Sequence, residues 1–339
     1  MIRFILSRLL QAIVVIYVIA TVVFFMMKAV PGGPFSQERN VSPYILEKIQ
    51  EQYGLNDPLF AQYKNFMWDL TPKKLNLTKL LTFDLKGGLG IDFGYSFRYE
   101  GRTVNQLIKE SFPVSLELGL YALLLASTIG ITAGTIAALN QNRFWDYFPM
   151  SLTMAGICIP SFVVAPILVL IFGFWVPEAI RLPILFWEPP YEAGFFERAS
   201  YKILPAVTLA FYYTASLSRL TRGSMLEVMN QDFIRTARAK GLSERAVVVK
   251  HGLRAGMIPV ISYLGPVAAH LITGSFIVET IFMLPGLGRH LINAALNRDY
   301  TLIMGTVLLY ATLLILLNLA VDVVLALLNP KEKLSLKNS

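Results

Sequence analysis

The chain has 339 residues, 55% of them hydrophobic and 15% charged, against about a quarter charged in an ordinary soluble domain. Its single cysteine excludes an internal disulfide, and its formal net charge of +8 has to be read by position, because membrane proteins concentrate Lys and Arg in cytoplasmic loops. The composition points to an all-α polytopic membrane protein, and away from a soluble enzyme or a nucleic-acid binder.

The first uncharged run, Leu9 to Met27, follows Arg3 and Arg8. It is too long for a signal-peptide core, and no small-x-small site precedes Lys28, so it reads as a retained span. Pro31-Gly32-Gly33-Pro34 stops that helix. A polar outer segment follows to about Phe112. In it, Ser42 and Pro43 open a predicted helix that runs to Tyr53 and is closed by Gly54. The glycines of Gly87 to Gly94 lack the spacing of a phosphate-binding loop and read as a turn-rich surface. Further spans are predicted at 113–139, 148–176, 203–218, 255–278 and 300–328, making six. Pro160, Pro166 and Pro266 predict kinks in the third and fifth spans. Gly265, Ala268, Ala269 and Gly274 predict close packing against another subunit. Glu117, His270, Glu279 and Asp322 lie within or at the edges of spans, where ionisable groups face protein or water. They either line a translocation path or are satisfied inside the bundle and at its outer rim.

Six spans put both termini on one side. The segment 219–254 holds eight basic residues (Arg219, Arg222, Arg235, Arg238, Lys240, Arg245, Lys250, Arg254) against three acids (Glu227, Asp232, Glu244), which makes it cytoplasmic, with both chain ends on the same side. The resulting plan is an N-terminal segment and first span at 1–30, an outer segment with short helices at 31–112, a core of five spans at 113–328 that contains the cytoplasmic loop, and a tail at 329–339.

A connection of 36 residues far exceeds the 2 to 8 that usually join bundle helices. It predicts one helix from Ser218 to Lys240, a glycine turn at Gly241, and a second helix capped by Ser243 and running through His251. Phe233, Ala237 and Lys240 share one face, with Arg235 and Arg238 beside it. That surface suits either a solvated, lipid-attracted loop or a docking site for a partner. There is no G-x-x-x-x-G-K-[ST] loop and no nucleophile elbow, and His251, His270 and His290 are too far apart for a local metal pair. The sequence therefore offers no nucleotide site, metal centre or catalytic group.

Asp232-Phe233-Ile234-Arg235-Thr236-Ala237-Arg238-Ala239-Lys240-Gly241-Leu242, followed by His251-Gly252-Leu253-Arg254, resembles the cytoplasmic signature loop of the membrane subunits of ATP-binding cassette importers, in the form found in the peptide and nickel branch. Other branches usually show Glu-Ala-Ala, three residues and Gly, then Ile-x-Leu-Pro. Here Arg235 and Thr236 replace the first two, Ala237, Gly241 and Leu253 are kept, and Arg254 stands in the place of the late proline. Phe4 to Leu9, Pro31 to Phe35, Tyr53 to Pro58, Phe112 to Ser115, Ile159 to Pro166, Thr221 to Met225, Glu279 to Phe282, Leu284 to Gly288 and Asn297 to Tyr300 are similar to oligopeptide-importing members of that branch.

The resemblance implies a type I importer permease fold in the inner membrane of a bacterium. It implies that the chain is not itself an enzyme and binds no cofactor, but forms half of the translocation path. The implied partners are a second, related permease subunit, two ATPase subunits that use ATP and Mg, and an extracytoplasmic binding protein that delivers oligopeptide, partly through the outer segment. The coupling surface would be Phe233, Arg235, Thr236, Ala237, Arg238, Lys240 and Gly241. A dipeptide or nickel importer is the near alternative, and a proton-coupled secondary peptide transporter the distant one.

Overall fold

The structure, a computed structural model, describes residues 2–30, 47–48, 51, 54–73, 76, 79, 84–189, 192, 194–273 and 276–328. In chain order its helices are α1 (Ile2–Ala29), α2 (Leu59–Leu70), α3 (Leu85–Gly88), α4 (Val104–Leu139), α5 (Phe144–Cys158) and α6 (Ser161–Val169), which runs on into a π-helical turn at Leu170–Trp175. Then come α7 (Phe195–Met229), α8 (Asp232–Ala239), α9 (Glu244–Ala246), a second π-helical turn at Val247–Gly252, α10 (Leu253–Ile272), α11 (Phe276–Ile281), α12 (Leu287–Asn297) and α13 (Tyr300–Leu328). Among the described residues there is no strand, only an isolated antiparallel bridge between Tyr95 and Thr103. The helix expected at 43–53 and the tail at 329–339 lie outside the described residues, apart from Glu47, Lys48 and Glu51, which are helical.

Among the described residues, four stretches are long and apolar enough to cross a bilayer: Leu6–Ala29, Val104–Leu139, Glu244–Ile281 and Tyr300–Val324. The expected third span is no straight helix. Ile159 is extended, Pro160 has no N–H to continue the ladder, and α5 and α6 meet at a bend of 111°. Counted as one broken span, this pair makes five. The expected fourth span lies in α7, which is long enough at 35 residues but not apolar enough. Its uncharged stretch 203–218 is flanked by Glu197, Arg198 and Lys202 on one side and Arg219 and Arg222 on the other. Pro266, expected to kink the fifth span, sits inside the helix Leu253–Ile272 without ending it.

The chain resolves into two compact units. One takes in Ile2–Val114 and Gly286–Ile315, and the other Ser115–Pro285 with the stretch from Leu316 onward. In the first unit α1 buries only a narrow stripe, Ala12, Ala20 and Phe24. The stripe seats α2, because Phe24 stacks on Phe66 at 5.6 Å, Tyr17 Oη lies 3.0 Å from Thr71 Oγ1, and Thr21 Oγ1 lies 2.9 Å from Tyr63 Oη. The glycine-rich stretch Gly87 to Gly94 is not the turn-rich surface expected: it starts in the single turn of α3, which Asp84 caps by accepting from the N–H of Gly87 at 2.7 Å, and then runs irregularly with Gly88 and Phe93 buried and no residue exposed.

In the second unit α4, α7 and α10 pack backbone to backbone. A Cβ on Gly134 would lie 2.4 Å from the carbonyl oxygen of Ser218, so α4 and α7 touch only because glycine is there. Gly265, Ala268 and Ala269 are buried within the chain, and a Cβ on Gly265 would already be 3.0 Å from Val321 Cγ2. Those small residues serve internal packing and not the subunit contact expected of them. Gly274 lies outside the described residues.

Candidate functional site

The expected continuous helix from Ser218 to Lys240 is broken. Helix α7 ends at Met229, Asn230 caps it, Gln231 is extended, and α8 starts afresh at Asp232. The eight residues of α8 have two unlike faces. Ile234 and Ala237 are buried in a cluster with Val228 and Val247, with Met229 and Ala255 packed against it. Burying one aliphatic side chain of the size of Ile234 is worth about 1.5–3 kcal/mol, enough to hold so short a helix that could not stand alone.

On the outer face, Phe233 is 41% exposed, and Arg235, Thr236, Arg238, Lys240 and Gly241 are exposed as well. Ala237, expected on the docking surface, is instead part of the anchor. The reason is that the buried pair is spaced three apart, Ile234 with Ala237, and this turns Phe233 outward.

The end of α8 is set by Gly241. Its φ of +78° is left-handed, which glycine adopts at no steric cost. The N–H of Gly241 donates to the carbonyl of Arg238 at 2.9 Å and that of Leu242 to the carbonyl of Ala237 at 3.4 Å, the Schellman arrangement. Ser243 then caps the next helix, its Oγ accepting from the N–H of Ala246 at 3.4 Å. Across the turn, Arg238 Nε donates to Glu244 Oε1 at 2.8 Å and Nη2 to Oε2 at 3.3 Å, a forked but solvent-exposed pair that bridges the two helices. Arg235 lies 3.5 Å from Asp232. The result is a helix–turn–helix with its inner side buried and an aromatic and cationic outer side, a surface that can dock a partner.

The four ionisable residues expected within the spans sit on four different helices. Glu117, on α4, is ion-paired with Lys202 and accepts from Tyr121 Oη at 3.0 Å, while the Lys202 ammonium lies 4.8 Å from the Trp187 ring centroid. Glu279, on α11, is fully buried and accepts from Ser115 Oγ at 2.8 Å. His270, on α10, is exposed, its ring centroid 6.4 Å from that of Tyr213. Asp322, on α13, is half-buried. Among the described residues no three His, Cys, Asp or Glu side chains come together as a metal site.

Three polar constellations escaped the sequence. Asp146, in the first turn of α5, is buried and bound by Arg222 of α7. Asp299 is buried before α13 and accepts from the N–H groups of Phe97 at 3.1 Å, Arg98 at 3.3 Å and Leu302 at 3.2 Å, from Thr301 Oγ1 at 2.9 Å, and from Ser96 Oγ. It caps a helix and pins the turn at Ser96–Arg98 in one stroke. His290, on α12, is half-buried with Nδ1 3.1 Å from Tyr99 Oη. Burial, followed by Arg289 and Arg102, holds its pKa below the ordinary histidine value, with Glu110 pulling weakly the other way. Each pair is remote in sequence, and only the spacing of Asp299 from Leu302 carries a local signal.

Residues 130–334 match the family described as binding-protein-dependent transport system inner membrane component, and residues 1–119 match the N-terminal family of the same membrane components. The chain is 44% identical over 333 residues to the oligopeptide transport system permease protein OppB of Haemophilus influenzae, and equally to that of Escherichia coli, in each case across 98% of this chain and 99% of the relative. It is 38% identical over 337 residues to the dipeptide transport system permease protein DppB of Bacillus subtilis, across 99% of this chain and all of the relative. The chain belongs to the inner membrane components of binding-protein-dependent transport systems. It is a multi-pass membrane protein.

Proposed function

We propose that this chain is one of two permease subunits of an ATP-driven oligopeptide importer. It forms half of the path and converts the motion of separate ATPase subunits into alternating access. The observation that carries the reading is α8, a short helix with a buried inner face, an open aromatic and cationic outer face, and a short link on each side to a longer helix. A helix so placed can serve as a lever that passes displacement into the bundle, the general means of switching access. ATP and Mg belong to the ATPase partners in this reading. A second permease subunit completes the path, and an extracytoplasmic binding protein delivers the peptide.

The proposed plan keeps six passages, α7 supplying the sixth through 203–218, with both termini and the loop 219–254 in the cytoplasm, 31–112 outside, and 113–328 as the core. The type I importer fold is part of the same proposal. Identity of 44% to oligopeptide permeases against 38% to a dipeptide permease favours longer peptides as cargo.

The test is copurification of the solubilised protein with its partners, followed by peptide-stimulated ATP hydrolysis in proteoliposomes. Uptake that requires ATP and the binding protein is expected. Uptake by this chain alone, driven by an ion gradient and indifferent to nucleotide, would reject the reading.

A further inference from the structure

Helix α7 carries a polar stripe separate from the coupling surface. Tyr212, Ser216, Arg219, Gly223 and Glu227 recur at spacings of four, three, four and four, one face of an α-helix. They line an open groove of about 650 Å³ walled by Ile157 of α5 and by Pro259 and Tyr263 of α10. Tyr212, Arg219, Gly223 and Glu227 are exposed. Arg219 Nη2 reaches Met154 Sδ at 3.0 Å, and Glu227 has no ion-pair partner among the described residues. A Cβ on Gly223 would meet nothing within 4 Å, so the middle of the stripe is open. Charged and hydroxyl groups on a membrane-protein helix face water or protein and not lipid, and the volume lies within the 300–1,000 Å³ usual for ligand sites.

The charges are opposite and set apart. Eight residues of helix separate Arg219 from Glu227 by about 12 Å, the length of an extended peptide of about four residues. A guanidinium fork matches a carboxylate, a carboxylate matches an ammonium, and the hydroxyls of Tyr212, Ser216 and Tyr263 suit peptide amides. We infer that this groove is the wall, at the cytoplasmic mouth of the path, against which the chain holds its departing cargo, a short zwitterionic peptide, with the terminal carboxylate at Arg219 and the terminal ammonium at Glu227. The inference rests on the peptide-import reading and adds where and by which groups the peptide is held.

Uptake of tetraalanine, its C-terminal amide and its N-acetyl form by the assembled importer in proteoliposomes reads the two ends separately. The wild type prefers the free peptide over each blocked form by about tenfold. Arg219→Gln removes the preference for the free carboxylate and keeps that for the free amine, and Glu227→Gln does the reverse. Each readout is a ratio within one variant, so a general loss of activity cancels. Where a variant takes up none of the three, binding of the radiolabelled peptides to the solubilised complex gives the same ratios. Ratios that neither substitution changes overturn the assignment. A wild-type complex that takes up none of the three rejects the peptide-import reading instead. The groove is then judged by labelling: Ser216→Cys on a Cys158→Ser background must react with a membrane-impermeant thiosulfonate, and a thiol that reacts only with a lipid-soluble maleimide overturns the groove as a water-filled wall.

Discussion

Arg222 grips Asp146 with both prongs of its guanidinium, Nε to Oδ1 at 2.5 Å and Nη2 to Oδ2 at 2.7 Å, while the N–H of Asn142 donates to the same carboxylate at 3.0 Å. The pair fastens α7, just ahead of α8, to the first turn of α5. Removing one partner of a buried pair strands the other. Asp146 is 1% exposed, whereas the Arg222 side chain is 28% exposed, so the two substitutions differ. Arg222→Met leaves a buried carboxylate and costs about 3 kcal/mol. Asp146→Asn costs less, because Arg222 reaches water and Asn still accepts from Asn142. Thermal unfolding in detergent should rank them in that order, and equal losses would contradict it.

Asp299 holds the turn at Ser96–Arg98 to the start of α13. Asp299→Ala leaves the N–H groups of Phe97, Arg98 and Leu302 without their acceptor, at about 1–3 kcal/mol for each buried group so stranded. Limited proteolysis should cut within 96–102 at least about tenfold faster in the variant, with Asp299→Asn intermediate. An unchanged cleavage pattern would show that the turn is held by other contacts.

His290 couples the contact between α12 and Tyr99 to pH. Its pKa is depressed in the folded state, so the unfolded chain binds the proton more readily. Stability is full above the ordinary histidine pKa of about 6.5 and falls as the pH drops below it toward the folded value. Once each rate is divided by the intrinsic exchange rate at the same pH, the protection of amides in 96–102 and 287–297 should therefore fall between pH 7.5 and 5.5 in the wild type. The change should be smaller in His290→Gln, which cannot titrate.

Gly241 is required for its backbone and not for its size, since its φ is +78° and a Cβ there would meet nothing within 4 Å. A β-branched residue in the left-handed region costs about 1–2 kcal/mol and pulls apart the turn that sets α8 against α9. Gly241→Val should abolish uptake while membrane insertion persists, and Gly241→Asn, which tolerates this conformation, should keep most of it. Normal uptake by Gly241→Val would take the turn out of the mechanism.

Much of this architecture is written locally. The long apolar runs of α1, α4 and α13, the glycine turn at Gly241 and the cap at Ser243 each follow from a few neighbouring residues, and so does the signature around α8. The sharp bend at Pro160 was half legible, because proline announces a break in the ladder but not its angle. The inward turn of Ala237 was not, since it depends on Val228 and Val247 closing over Ile234. Asp146 with Arg222, Tyr99 with His290 and Ser96 with Asp299 join residues 76, 191 and 203 positions apart, and no periodicity connects partners at that distance. The α7 groove was hidden for another reason. Arg219 and Glu227 counted as cytoplasmic loop charge, and the walls facing them come from Ile157, Pro259 and Tyr263, which no local pattern brings to α7.

The account turns on whether the outer face of α8 is covered by an ATPase subunit. Phe233→Cys on a Cys158→Ser background measures this through the rate of thiol labelling in the isolated chain and in the assembled complex. Labelling slowed at least about tenfold when the ATPase subunits are present is the predicted result. Equal rates with and without them would contradict the claim.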